Sequence, residues 1–202
     1  MKDFVIVIGR QLGCGGREIG KAIAQALNVP YYDKTLLSEA AQSFGLDSSL
    51  FLNMDEKRPS FFRNFLGLGD GTNLPHALSG SLSAEGLYNA QAEVISRIAR
   101  KGSCVIVGRT ADHILRHHPG LCSVFIQAPE EYRLRNIISR GDATSEEEAR
   151  ELAHTYDRKR EDYYRYYTSR PWGNAGNYHL CFDASKFPTD SIIALLRQVI
   201  EK

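Results

Sequence analysis

Short runs of apolar, mostly β-branched residues recur along the chain, and each is followed by a stretch with helical period. The first, Phe4-Val5-Ile6-Val7-Ile8, is continuous rather than alternating, as in a parallel strand buried on both faces. It breaks into Gly9-Arg10-Gln11-Leu12-Gly13-Cys14-Gly15-Gly16, too rich in glycine for a helix or a strand. From Arg17 the positions Ile19, Ala22, Ile23, Ala26 and Leu27 share one helical face, and Asn28 and Pro30 end the helix. Pro30-Tyr31-Tyr32 predicts a second strand, and a helix follows Asp33 from about Lys34 to Phe44. Further strands are predicted at Ser103–Val107, Cys122–Ile126 and Tyr178–Phe182. Helices are predicted near Ser83–Lys101, Ala111–His117, Glu130–Arg140, Ser145–Thr168 and Thr189–Glu201. Strands alternating with helices imply an α/β fold, a parallel sheet with right-handed crossovers.

Residues from about 47 to 80 break this alternation. Phe61, Phe62, Phe65, Leu66 and Leu68 crowd a stretch that dissolves into Gly67, Gly69, Gly71 and Pro75. Such a segment reads as an irregular connection with a small satellite core, as a flap over a substrate, or as a homodimer contact.

Composition narrows the class. With 202 residues, 43% of them hydrophobic and 24% charged, the chain can fill one core, which excludes disorder and coiled coil as whole-chain readings. A net charge of +1 gives no footprint for a nucleic-acid partner. The Phe4–Ile8 run is too short to span a bilayer and lacks the flanks of a secretory signal, so no membrane partner is expected. Cys104, Cys122 and Cys181 lie in apolar runs and Cys14 in the glycine turn, without a Cys-x-x-Cys pair; this predicts buried thiols in a reducing cytoplasm.

A strand, a glycine-rich turn and a helix in succession are a recurring way to hold phosphate. Glycines accept positive φ and bring backbone N–H groups close to the anion at the positive end of the helix. The turn departs from the usual Gly-x-x-x-x-Gly-Lys-Ser/Thr pattern. If Arg17 stands for the lysine, Glu18 falls where the hydroxyl should hold Mg²⁺. If the count runs from Gly13-Cys14-Gly15, Gly16 falls in the lysine's place.

The string Gly9-Arg10-Gln11-Leu12-Gly13-Cys14-Gly15-Gly16-Arg17-Glu18-Ile19-Gly20, followed by Pro30-Tyr31-Tyr32-Asp33-Lys34, resembles the cytidylate kinase-like family. The likeness continues in Val105-Ile106-Val107-Gly108-Arg109, in Ala128-Pro129-Glu130-Glu131-Tyr132-Arg133, in Asp157-Arg158-Lys159-Arg160 and in the Tyr163–Tyr167 run. It implies a single P-loop domain over residues 1–202, of three αβα layers, with a five-stranded parallel sheet in the order 2-3-1-4-5. It also implies a flap at about 47–80 and a lid at about 133–160.

By the same resemblance, Gly13, Cys14, Gly15, Gly16, Arg17 and Glu18 would bind the donor nucleotide, with Arg17 as the cationic and catalytic partner. Asp33 and Arg109 would meet the acceptor, although an Asp before a helix is also an ordinary N-cap. Arg133, Arg135, Arg158 and Arg160 would supply catalytic charge from the lid, or else line a solvated helix face beside Glu130, Glu131 and Glu161. No resident metal site is expected; His113, His117 and His118 lack a supporting carboxylate cluster. Tyr156, Tyr163 and Tyr167 share one helix face and read as packing, as does Trp172. Asp183-Ala184-Ser185 reads as loop structure.

The expected function is transfer of a phosphoryl group from ATP, with Mg²⁺, to a small acceptor, first of all a nucleoside monophosphate such as CMP. Two alternatives stay open: a nucleotide-binding regulator of the same fold, and a kinase for another small molecule.

Overall fold

The computed structural model describes residues 3–33 and 84–201. Its strands are β1 (Val5–Arg10), β2 (Tyr31–Tyr32), β3 (Cys104–Val107), β4 (Leu121–Gln127) and β5 (Leu180–Asp183). All pair in parallel, in the order β2-β3-β1-β4-β5 that the resemblance implies. The central strand β1 runs from Val5↔Cys104 to Ile8↔Val107 against β3, and from Val5↔Leu121 to Arg10↔Ile126 against β4.

Among the described residues the helices are α1 (Gly16–Leu27), α2 (Ala84–Arg100), α3 (Ala111–Ile114), α4 (Glu130–Ser139), α5 (Glu146–Thr168) and α6 (Thr189–Ile200). They cover both faces of the sheet. Ile6 and Ile8 pack with Ile19 and Ile23 of α1 and Ile192 and Leu196 of α6; Val5 and Val7 face Val94, Ile95 and Ile98 of α2. The period of two along β1 thus feeds two cores, which is why its apolar run has no polar positions. Each fully buried Ile or Val contributes roughly 1.5–3 kcal/mol. A third cluster, of Leu134 and Ile137 on α4 with Ala149 and Ala153 on α5, packs against Leu12 of the glycine turn.

Several local expectations shift. The last strand starts at Leu180 rather than Tyr178, because Tyr178 closes a 3₁₀ turn over Ala175–Asn177. Helix α3 stops at Ile114, where Arg116 and His118 continue in tighter i→i+3 bonds to His113 and Leu115. Cys181, expected to be buried, is exposed: β5 is the sheet edge, and Cys181 points to the side opposite the buried Phe182. Cys14, Cys104 and Cys122 are buried free thiols. The expected Lys34–Phe44 helix and the 47–80 segment lie outside the described residues. No described helix is long and apolar enough to cross a membrane.

Candidate active site

At the C-terminal end of β1 the pairing runs on by one residue: the Gln11 N–H donates to the Ile126 carbonyl at 3.1 Å, and Gln11 Oε1 accepts from the Ala128 N–H at 3.2 Å. These bonds stitch the turn to the end of β4. Gly13 and Gly15 then take φ of 82° and 78°, and Gly15 caps α1. The N–H groups of Gly13, Gly15, Arg17 and Glu18 have no acceptor among the described residues, so the turn presents an electropositive mouth. Cys14 contributes only backbone. Its Sγ lies buried at 3.1 and 3.3 Å from the carbonyls of Gln11 and Ile126, and burial pushes the thiol up to about 11.

Arg10 dominates the electrostatics of this mouth. Its stem lies against Gly16: a Cβ placed there would sit 2.6 Å from Arg10 Cβ and 3.0 Å from Cγ. Its guanidinium lies over Gly108, where an added Cβ would overlap Nη1. Burial, then the cations of Arg160, Arg109 and Arg17, push Arg10 down to about 9, so it is still charged at neutral pH. No acidic side chain among the described residues pairs with it. Arg17 is half exposed and reaches the buried Asp33, with Nε–Oδ2 at 3.7 Å. Glu18 is exposed on the first turn of α1.

The β3 end is strained. Gly108, Arg109 and Thr110 have φ of 79°, 62° and 52°, three left-handed residues in succession, and Thr110 is β-branched. A buried polar network braces them. The Arg109 carbonyl accepts from Thr110 Oγ1 at 2.6 Å and from Gln91 Nε2 at 3.4 Å. Gln91 also donates to the Tyr163 hydroxyl at 2.9 Å, and Thr110 Oγ1 pairs with the Tyr88 hydroxyl at 3.1 Å.

The predicted lid splits in two. Arg133 Nη1 donates to Asp157 Oδ2 at 2.6 Å and to the Leu12 carbonyl at 3.2 Å. Arg160 Nη1 donates to Asp157 Oδ1 at 2.9 Å and to the Arg10 carbonyl at 3.4 Å. Asp157 Oδ1 also accepts the Leu12 N–H at 2.8 Å, and Asn136 Nδ2 donates to the Gly13 carbonyl at 2.8 Å. Arg133 and Arg160 are therefore brought to the turn, whereas Arg135 and Arg158 are exposed on the outer sides of α4 and α5.

A model of the cytidylate kinase-like family matches residues 5–186. The chain belongs to that family. Among solved structures, an uncharacterized protein from Eubacterium ventriosum is similar at 24% identity and TM-score 0.73, covering 99% of both chains. A shikimate kinase from Bacteroides thetaiotaomicron is 14% identical with TM-score 0.54, covering 98% of this chain and 99% of its own. A gluconokinase from Sinorhizobium meliloti is 19% identical with TM-score 0.54, covering 98% and 94%. At these identities the likeness carries the P-loop kinase fold. No curated protein matches the chain.

In this cytidylate kinase-like chain, Arg17 and Asp33 meet beside the turn and Arg109 stands at the end of β3, and Arg10, Gln91 and Asp157, which have no expected role from the sequence, join them. The expected Tyr156–Tyr163–Tyr167 stripe is only partly right. Tyr167 stacks on Tyr88, with ring centroids 3.9 Å apart, and Tyr163 joins the Gln91 network, but Tyr156 is exposed and the buried ring is Tyr164. Trp172 packs edge-on against Phe125, and Asp183 Oδ1 accepts from Ser185 Oγ at 2.7 Å in a local turn.

Proposed function

We propose that the protein transfers the γ-phosphoryl group of ATP to a small acceptor, with a nucleoside monophosphate such as CMP as the first candidate. One observation carries the reading: Arg10, Arg17, Arg109 and Arg160 gather at the mouth of a glycine turn in which the N–H groups of Gly13, Gly15, Arg17 and Glu18 have no acceptor among the described residues. Phosphoryl transfer asks little covalent chemistry of a protein and much fixed positive charge around the equatorial oxygens. In this reading the Gly13–Glu18 turn and Arg17 hold the donor, Arg109 and Asp33 meet the acceptor, and Arg133 and Arg160 stabilise the transferring group. Arg135 and Arg158 receive no role.

Mg²⁺ fits a site in which nucleotide phosphates supply most ligands. The described residues hold no cluster of three metal-ligating side chains; of the carboxylates near the turn, Asp157 is held by Arg133 and Arg160 and Asp33 by Arg17, and the exposed Glu18 could orient the ion. When bound, the ion would neutralise charge building on the phosphates.

Tyr88, whose hydroxyl pairs with Thr110 next to Arg109, lines an open surface cavity of about 400 Å³ with Glu85, Asn89, Tyr166 and Tyr167. The shikimate kinase and the gluconokinase are both kinases, which supports phosphoryl transfer in general and puts their acceptor classes in the same test. Purified protein with ATP and Mg²⁺ should consume ATP when given CMP or a related monophosphate. Consumption only with a non-nucleotide acceptor would reassign the acceptor. A second reading, a nucleotide-binding regulator, is favoured by the missing loop hydroxyl, and tight ATP binding without turnover of any acceptor would establish it.

A further inference from the structure

We infer that Arg10, at the end of β1, does the work of the lysine that a phosphate loop ordinarily carries at the start of its helix. The inference rests on the reading that this turn binds a nucleoside triphosphate. The geometry fixes the register. Gly15 is the left-handed residue that caps α1 and Gly16 is the first helical residue, so they stand at the Gly-Lys pair of Gly-x-x-x-x-Gly-Lys-Ser/Thr. Counting back five residues from Gly15, the motif's first glycine falls on Arg10. Glycine and cation have therefore exchanged places.

Packing explains why the exchange is reciprocal. The two positions adjoin in space, with 2.6 Å between Arg10 Cβ and a Cβ built on Gly16, so only one of them can carry a side chain. The usual motif puts glycine first and lysine later; this chain puts arginine first and glycine later. From its position Arg10 crosses from the donor turn to Gly108, next to Arg109, at the C-terminal strand edge where α/β sheets place ligands. Arg109, Arg160 and Arg17 surround it; Asp157 pairs with Arg160 and Asp33 with Arg17, but no acid among the described residues pairs with Arg10 itself, a buried cation that an entering anion would compensate. A fork of donors can take two phosphate oxygens at once, between the donor's terminal phosphate and the acceptor.

The test is ATP affinity by titration calorimetry on the full chain, with folding followed by thermal melting. Arg10→Met should weaken ATP at least about tenfold, the range of a lost charge-assisted bond. Its melting point should hold or rise, because one cation leaves a cluster of four. Gly16→Lys alone should melt lower and bind poorly, since its stem meets Arg10. The double variant Arg10→Gly with Gly16→Lys should bind within about threefold of wild type. Wild-type binding with Arg10→Met within twofold of it would overturn the assignment of Arg10 and leave the nucleotide reading standing. Wild type that binds no ATP would overturn both.

Discussion

Asp157 and Arg133 meet at 2.6 Å, Oδ2 to Nη1, with 15% and 11% of their side chains exposed. The same carboxylate takes Arg160 at 2.9 Å and the Leu12 N–H at 2.8 Å, so one acid ties both helices of the predicted lid to the glycine turn. Asp157→Ala would remove the carboxylate that Arg133 and Arg160 share and leave the Leu12 N–H without its acceptor. The expected loss is about 3 kcal/mol in urea unfolding. Asp157→Leu combined with Arg133→Met should lose less than the sum of the single changes. A loss under about 0.5 kcal/mol for Asp157→Ala would show a pair that contributes no more than a surface one.

Gly13 and Gly141 provide a matched comparison. Both have positive φ, 82° and 76°, so alanine at either costs about 1–2 kcal/mol of backbone strain. A Cβ at Gly13 would also stand 2.5 Å from the Arg133 carbonyl oxygen, whereas one at Gly141 meets nothing within 4 Å. Gly13→Ala must therefore push α4 off the turn as well. Chemical denaturation should show a larger loss for Gly13→Ala than for Gly141→Ala, by at least about 1 kcal/mol, and equal losses would contradict the close approach.

The thiols should separate sharply in reactivity. Burial pushes Cys14 and Cys122 up to about 11 and Cys104 up to about 12, while Cys181 lies exposed on the edge strand. Thiolate content and access both set the rate of alkylation. Native protein given a maleimide at neutral pH should gain one label quickly, on Cys181, and three more only in denaturant. Rapid labelling of Cys14 would show that the turn opens.

The buried strands were legible because an unbroken β-branched run has few alternatives to a sheet covered on both faces, and the turn was legible because its glycines allow little else. The edge strand β5 carries the same apolar signal, yet Cys181 is exposed: only its Phe182 side is buried, against Ile192 and Leu196 of α6, and an apolar run does not tell that one side of an edge is left open. Arg10 was hidden for a similar reason. A lone arginine after a strand resembles any polar strand end, and its meaning lies in its contact with Gly16 and Gly108. Asp157 sits among Arg158, Lys159 and Arg160, where sequence alone suggests a solvated helix face. Only the packing of α4 against α5 turns it inward. Gln91 was missed because the strain it braces, at Arg109 and Thr110, involves no glycine and leaves no mark in the sequence.

Asp112 should give the stability a pH dependence of definite sign. Its half-buried carboxylate accepts from the Tyr164 hydroxyl at 2.7 Å, near Tyr178, His113 and Arg170. Burial pushes the carboxyl above the usual carboxylate range, and the Tyr164 bond, the backbone N–H groups and Arg170 only partly oppose this. Between its ordinary value and the raised one, the folded chain holds this proton more firmly than the unfolded chain. Stability must therefore fall as pH rises through that window, by at most about 1.4 kcal/mol per unit for one proton, and level off above it. Asp112→Asn keeps an acceptor for Tyr164 and removes the titration. Melting points measured from pH 4 to 7 should move in the variant's favour relative to wild type as pH rises. A constant gap would mean that Asp112 ionises as freely folded as unfolded, and the burial assigned to it would be wrong.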